Sequence, residues 1–451
     1  MTTQTITAAV TRNAPRRRGM CPGVLAPMEV GDGLLVRVRV PAGVLPAASA
    51  KRIAELGRRY GNGLIDLSHR GNLQLRGVRP EDMAALIEEL RPLGYISADA
   101  ESEAVRNVMT SPTAGLDAEA VLDVRPFALA LDARLASDKA LHRLPPKFGW
   151  LVDGGGRAPL FDSSTDVRFD AVMTEDGPRF RVGLGGTLEG AALLGHCRPE
   201  EMVETAVAVA RAFLSVRETL AEPPRRMAGL VKAVGVEALS PLPPTLARGS
   251  LPPPPPAGEG QTPSPAQRGR VGEGACKRSQ SFLGLHPSWL GVAFPFGRLD
   301  CDRLEALADL THEIRITPWR ALLLAGAGEA EAVTAKSLGG ILDHGDVRLK
   351  VTACSGITGC DVGTTDTHAD GLAIAERAPG LLEGVRMVHV SGCAKGCAHP
   401  GAANVTLTAR EGVYDVALNA VPGAAPWRSG LTPAEAVDAV TGLSVEELSR
   451  V

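Results

Sequence analysis

The chain of 451 residues is long enough for two or three domains, and its 44% hydrophobic and 22% charged content are globular values, well away from the disorder signature. A net charge of −3 gives no reason to expect a nucleic-acid partner. No apolar run reaches the length a bilayer requires, and Arg16-Arg17-Arg18 has no apolar stretch beside it, so neither a membrane span nor a secretory signal is expected and the default location is the cytosol.

Residues 20–95 read as strand, helix, strand, helix. Leu34–Val40 alternates Val with Arg at its end, as a half-buried strand does. Ala47–Arg59 carries Ala, Ile and Leu at helical spacing, and Gly61-Asn62-Gly63 signals a turn. Leu64–Leu67 and Asn72–Arg76 follow as a second strand region, and Pro80-Glu81-Asp82 opens a helix through Leu90. Residues 96–235 form a second segment. It contains Arg106-Asn107-Val108, Leu144-Pro145-Pro146-Lys147-Phe148 and the Gly-rich stretch 182–186, and a long helix from about Glu200 to Leu220 closes it.

Residues 236–280 differ in kind. Pro252–Pro256 is an unbroken proline run, and aromatics are absent until Phe282. Such a stretch buries too little apolar surface to offset its ordering entropy, so an extended linker or insertion is expected, with a proline-rich ligand for a partner domain as the other reading.

The opening pattern then recurs over 281–328, ahead of a final segment at 329–451. Pro41-Ala42-Gly43-Val44-Leu45 is echoed by Pro295-Phe296-Gly297-Arg298-Leu299. The twelve residues Asp66–Gly77 are echoed by Arg315–Gly326, each read as one polar-to-Leu-rich strand ending in Gly. An internal duplication explains the echo, and chance likeness of two β-α-β units is the competing explanation. The expected fold class is α+β.

The strongest chemical signal is Cys354, Cys360, Cys393 and Cys397, spaced C-x5-C, thirty-two residues, then C-x3-C. Four thiolates anchor an iron–sulfur cubane, and Gly356, Gly359, Gly392 and Gly396 let backbone N–H groups approach cluster sulfurs. A structural zinc site also takes four cysteines, but its pairs usually lie two to four residues apart. Four unrelated buried thiols would need a coincidence of spacing. Cys21, Cys197, Cys276 and Cys301 are scattered and read as structural or incidental.

This cysteine pattern, with Cys393-Ala394-Lys395-Gly396-Cys397-Ala398-His399-Pro400, resembles the sulfite and nitrite reductase family. So do His69-Arg70-Gly71-Asn72-Leu73-Gln74, Arg106-Asn107-Val108 and Leu144–Phe148, in the same order. The resemblance spans most of the chain apart from the N-terminus and the proline-rich segment. It implies a duplicated architecture of ferredoxin-like half-domains (20–95 and 281–328) and two α/β domains (96–235, tetrapyrrole-binding, and 329–451, holding a 4Fe–4S cluster).

Within the family the likeness is nearest to a branch acting on an acidic tetrapyrrole, suggested by Cys21-Pro22-Gly23 and Thr317-Pro318-Trp319-Arg320. That branch implies an oxygen-dependent monooxygenase that hydroxylates precorrin-3A at C20 with γ-lactone formation in aerobic cobalamin synthesis. NADH would supply electrons directly or through a reductase, and a mononuclear non-haem iron is an associated cofactor. No Gly-x-Gly-x-x-Gly unit stands out, so a separate reductase is one expected partner. The alternatives are a sirohaem-dependent sulfite or nitrite reductase and a non-catalytic iron–sulfur electron carrier.

A substrate rich in carboxylates calls for fixed cations, and the planar guanidinium fork suits them. Carried over by position, Arg70, Arg106 and Lys147 are the expected grips. Arg37, Arg39, Arg76, Arg315 and Arg320 are further candidates, and Asn72, Gln74 and Asn107 are candidate hydrogen-bonding groups. The reductases continue the Lys-Phe motif with a second Lys where this chain has Gly149, which weakens the case for reduction of a small inorganic anion. His69 and His399 read as iron ligands, as proton relays or as hydrogen-bonded structural residues.

Overall fold

A computed structural model of the chain describes residues 22–239 and 282–449, so most of the proline-rich segment, Cys21 and Cys276 lie outside the described residues. Four five-stranded sheets organise the rest.

In the first half-domain, strands Met28–Val30, Gly33–Val38, Leu64–Leu67 and Leu73–Val78 carry helices Ala47–Tyr60 and Met83–Leu90 on one face. Val36 and Val38 are fully buried while Arg37 points away, the period-two pattern of a half-buried strand. Ala50, Ile53, Ala54, Gly57 and Tyr60 make one buried stripe of the first helix, and Arg58 and Arg59 sit where its C-terminal dipole favours cations. The helix expected at Pro80 starts as a 3₁₀ turn, Pro80–Asp82, and is α-helical from Met83.

The second half-domain repeats the plan. Strands Gly284–Leu285, Trp289–Ala293, Glu313–Ile316 and Ala321–Ala325 carry helices Cys301–Ala308 and Glu329–Ser337. The two halves exchange a strand. Val44–Pro46 pairs with Glu313–Ile316 of the second sheet, and Arg298–Asp300 pairs with Leu64–Leu67 of the first. Each exchanged strand follows a Pro-x-Gly turn in which both the middle residue and the glycine have positive φ: Ala42 at 53° and Gly43 at 67°, Phe296 at 58° and Gly297 at 62°. Leu45 and Leu299 therefore lie in one core common to both half-domains.

The twelve-residue repeats are not single strands. Each is a hairpin whose two strands are joined by a turn, at residues 68–72 and 317–320, because Gly71 (φ 64°) and Arg320 (φ 59°) take the left-handed backbone at the same place.

The two α/β domains share a topology. In the first, strands Val108–Thr110, Trp150–Asp153 and Thr165–Thr174 are parallel, and Gly177–Gly186 and Ala192–Cys197 continue antiparallel. In the second, Val351–Ala353, Val388–Ser391 and Ala403–Arg410 are parallel, and Val413–Ala420 and Arg428–Leu431 continue antiparallel. The helix expected over 200–220 is α-helical over Met202–Arg217, after a 3₁₀ turn at Pro199–Glu201. Ala42 is buried in the core of the first α/β domain and Phe296 in that of the second, so each Pro-x-Gly turn also pins a half-domain to its α/β partner.

Candidate functional site

Cys354 directly follows strand Val351–Ala353, and Cys393 follows Val388–Ser391 by one residue. These strands are parallel neighbours, so both cysteine loops leave the same carboxyl edge of the sheet. Open α/β sheets place their ligands at that edge. Gly392 N–H donates to Cys354 Sγ at 3.1 Å, and Ser391 Oγ donates to the Cys393 carbonyl at 2.7 Å. Gly356 and Gly396 have φ of 57° and 61°, and a Cβ on Gly356 would lie 2.6 Å from the Thr365 carbonyl oxygen.

Burial raises the Cys397 thiol pKa; Lys395 opposes this, and Cys354, Cys393 and Cys360 add to it, so all four sulfurs share one electrostatic neighbourhood. Among the described residues, no group of three or more His, Cys, Asp or Glu closes on a single ion. A mononuclear zinc site needs its sulfurs about 2.3 Å from one centre. Four thiols on two glycine-rich loops are also the donor set that anchors an iron–sulfur cubane.

The first α/β domain holds the counterpart of this edge without the thiols. Ser111 follows Val108–Thr110 as Cys354 follows Val351–Ala353, and Gly154 N–H donates to Ser111 Oγ at 2.7 Å as Gly392 does to Cys354. Gly155 stands in the place of Cys393. The buried Asp153 carboxyl accepts from Ser111 Oγ and from the N–H groups of Gly155 and Leu160. Polar side chains thus close the first copy where the second presents sulfur.

The two hairpin turns meet across the duplication. His69 and Arg70 on one, and Pro318 and Trp319 on the other, line a cavity of about 500 Å³ with Asn107, Met109, Gly149, Asp162, Ser163, Ser164, Thr165 and Arg226. The volume lies within the range of small-molecule sites. Asn107, Gly149 and Thr165 stand at the amino edge of the three parallel strands, opposite Ser111 and Gly154. Trp319 is stacked on Phe282 at 4.4 Å, which holds its ring as a flat wall. Burial and the charge of Arg320 lower the His69 pKa against a backbone contact with Pro318, so a neutral imidazole faces the cavity. Beside it lies a basic recess of about 460 Å³ lined by Arg143, Lys147, Arg217, Arg225 and Arg226. Arg70 and Arg226 both donate to the Lys147 carbonyl, at 3.3 and 2.8 Å, which joins cavity and recess.

The expected grips divide. Arg70 and Asn107 line the cavity, and Lys147 is exposed in the recess. Several others have internal partners, as does Asn107, whose amide donates to the carbonyls of Ala104, Pro146 and Phe148. Arg106 pairs with Asp132 and donates to Ser97. Arg315 is fully buried against Glu313 and the Ala114 carbonyl. Arg320 donates to the carbonyls of Leu67 and Phe296. Gln74 accepts from Arg37 at 2.6 and 3.1 Å, and Arg39 lies 3.5 Å from Glu103. Asn72 closes its own turn through Ser68 Oγ and the Arg70 carbonyl. Arg76 reaches Asp32, Asp66 and the cysteine loop. A buried guanidinium in each case finds a carboxylate or carbonyl because leaving it unpaired costs several kcal/mol.

Cys197 and Cys301 are buried, and burial pushes both thiols up to about 12, so they are inert packing residues. His399 Nε2 lies 3.3 Å from the Ala402 carbonyl oxygen, and its ring meets His389 edge-on. Sequence reading missed Arg143, Arg217, Arg225, Arg226 and the Ser163–Thr165 wall. Arg225-Arg226 just after Pro223-Pro224 was the available signal, a basic pair placed by rigid residues ahead of helix Met227–Val234.

Comparison with known proteins agrees with this architecture. The nitrite/sulfite reductase ferredoxin-like half domain model matches residues 26–93, and the nitrite and sulphite reductase 4Fe-4S domain model matches residues 101–241. Over these residues the chain is similar to the nitrite and sulfite reductases. It is 29% identical over 427 residues to the precorrin-3B synthase of Sinorhizobium sp, covering 92% of this chain and 85% of that protein. It is 26% identical over 406 residues to the ferredoxin–nitrite reductase of Synechococcus elongatus, covering 83% and 75%. The Mycobacterium tuberculosis NirA structure superimposes with a TM-score of 0.67 at 21% identity over 93% of this chain and 84% of that one, which shows the shared fold. The 4Fe-4S model falls on the first α/β domain, which contains only Cys197, whereas the four spaced cysteines lie in the second copy.

Proposed function

We propose that this chain is a precorrin-3B synthase, an oxygen-dependent monooxygenase of the cytosol that hydroxylates precorrin-3A at C20 with γ-lactone formation. The observation that carries the reading is likeness along nearly the whole chain to a protein of that name. Gly149 supports it: it lines the cavity where the reductases place a second lysine, and its absent side chain leaves room beside Thr165.

Cys354, Cys360, Cys393 and Cys397 are the proposed ligands of a 4Fe–4S cluster, which supplies one-electron transfer when bound. Arg70, Lys147 and Arg226, with Arg143, Arg217 and Arg225 beyond, are placed to grip substrate carboxylates. Trp319 offers an apolar face to the macrocycle, and neutral His69 accepts or relays a proton at the cavity wall. In the overall reaction one atom of O₂ enters the substrate and the other leaves as water, with two electrons from NADH directly or through a reductase. A mononuclear non-haem iron belongs to the proposal without assigned ligands.

The nitrite reductase relatives favour a second reading, a sirohaem-dependent reductase of sulfite or nitrite. One experiment separates the two. Purified holoprotein given precorrin-3A, reductant and ¹⁸O₂ is expected to yield a product carrying one labelled oxygen, with broad iron–sulfur absorption only. Haem-type bands with nitrite or sulfite turnover and no labelled product would overturn the proposal. Cys393→Ser is expected to lose cluster iron and activity together, and a variant with full cluster iron would remove Cys393 from the ligand set.

A further inference from the structure

Arg76 ends no surface patch; it crosses between domains. Its five guanidinium N–H groups all have acceptors. Two donate to Asp32, from Nε at 2.9 Å and Nη2 at 2.8 Å, and one to Asp66, from Nη1 at 2.9 Å. The other two reach the loop between the first pair of cysteines: Nη1 to Ser355 Oγ at 3.2 Å and Nη2 to the Gly359 carbonyl at 2.8 Å. Only 3% of the side chain is exposed. A Cβ on Gly359 would lie 2.3 Å from Nη2, and one on Gly31, next to Asp32, would lie 2.7 Å from the Cys360 carbonyl carbon. Arg298 adds a second cation, bonded to Asp66 at 2.6 and 3.0 Å and to Ser355 Oγ at 3.3 Å. Two guanidinium groups and two carboxylates therefore cancel in charge directly against the Cys354–Cys360 loop.

We infer that Arg76 is a positioning residue for the cysteine centre. Through it the first half-domain clamps the Cys354–Cys360 loop, and the balance of Arg76 and Arg298 against Asp32 and Asp66 sets the reduction potential there. The inference rests on the proposal that the four cysteines hold a 4Fe–4S cluster. Loss of Arg76 leaves net negative charge in a low-dielectric surround and opposes an incoming electron. Loss of Asp32 leaves net positive charge and favours it. A residue that merely supported the fold would not move the potential in opposite directions in the two variants.

The test uses as-isolated holoprotein, with iron and sulfide counted first and the midpoint potential then followed by electron paramagnetic resonance. Arg76→Gln is expected to lower the potential and Asp32→Asn to raise it, each by a tenfold change in the reduction equilibrium, about 59 mV for a one-electron couple. Arg76→Lys keeps the charge but loses the fork, so its potential stays near wild type while a chelator strips its iron several-fold faster. Full clusters with both potentials unmoved, or both moved the same way, overturn the inference and leave the ligand assignment standing. If Arg76→Gln fails to fold, Asp32→Asn decides alone: no upward shift overturns the inference. Wild-type protein without iron and sulfide would instead sink the ligand assignment, and this inference with it.

Discussion

Asp166 joins the cavity to the basic recess, and Asp166→Asn is the perturbation most fully worked from its contacts. The side chain is 1% exposed. Its carboxylate accepts from Gly149 N–H at 2.8 Å, Met227 N–H at 2.8 Å and Arg226 Nε at 3.1 Å, with Arg226 Nη2 at 3.0 Å. An amide has one acceptor oxygen where the carboxylate has two, so either Gly149 or Met227 loses its partner and meets an NH₂ group. An unsatisfied buried donor costs about 1–3 kcal/mol, and loss of charge assistance on the bond that remains costs about 1 more. The Arg226 side chain is 42% exposed, so solvent screening limits that pair to at most about 1 kcal/mol. Burial holds the Asp166 pKa above the usual carboxylate range, against the pull of Met227, Arg226 and Gly149, so neutralising the group recovers part of its desolvation. The net expectation is a loss of about 2–3 kcal/mol, read as a lowered urea midpoint from tryptophan fluorescence, to which the fully buried Trp150 and Trp289 contribute. With Arg226 released, the KM for the tetrapyrrole is expected to rise about tenfold with kcat within twofold. A loss below about 1 kcal/mol with unchanged KM would refute the reasoning.

Gly149→Lys should fill the cavity, because even a Cβ there lies 3.1 Å from Thr165 Oγ1. Turnover of the tetrapyrrole should fall at least a hundredfold while cluster iron is retained, and unchanged turnover would place the substrate elsewhere. Leu45→Ala and Leu299→Ala should each cost about 3 kcal/mol, since both side chains are fully buried in the common core. Hydrogen exchange should show either change lowering protection in both half-domains, and an effect confined to one would contradict the common core. His368 is pulled down to about 4 by burial and by the Arg298 guanidinium that donates to its Nδ1. The folded state therefore binds fewer protons than the unfolded one between about pH 6.5 and 4, and stability falls as pH drops through that window. His368→Gln should flatten this fall by roughly 1–2 kcal/mol in urea titrations at stepped pH, after discounting for partial exposure; an unaltered slope would exclude His368 as a source.

The duplicated plan was legible because its signals are local. Pro41-Ala42-Gly43 and Pro295-Phe296-Gly297 encode the same backbone turn, and the buried positions of helix Ala47–Tyr60 fall at helical spacing. The hairpin inside Asp66–Gly77 is hidden from the pattern because Ser68 and Asn72 close the turn through bonds that composition does not reveal. In the second copy Arg320 occupies the left-handed place of Gly71, which no turn propensity favours. The arginines were harder still. A guanidinium pairs with whatever the fold brings near, and Arg76 meets a serine 279 residues away. Arg143, Arg217, Arg225 and Arg226 stand out only when they gather around one recess. Ser111 looks ordinary until its hydrogen bond with Gly154 is laid over that of Cys354 with Gly392.

The strand exchange makes the two repeats mutually dependent during assembly. A fragment ending at residue 239 contains Val44–Pro46 but not the strand that must flank Leu64–Leu67, and a fragment starting at 282 has the reverse deficit. Each piece alone would present an uncovered sheet margin ready to capture another chain. Produced together, the two pieces should find each other and complete both sheets, so the molecule behaves as a dimer whose subunits happen to be covalently tethered.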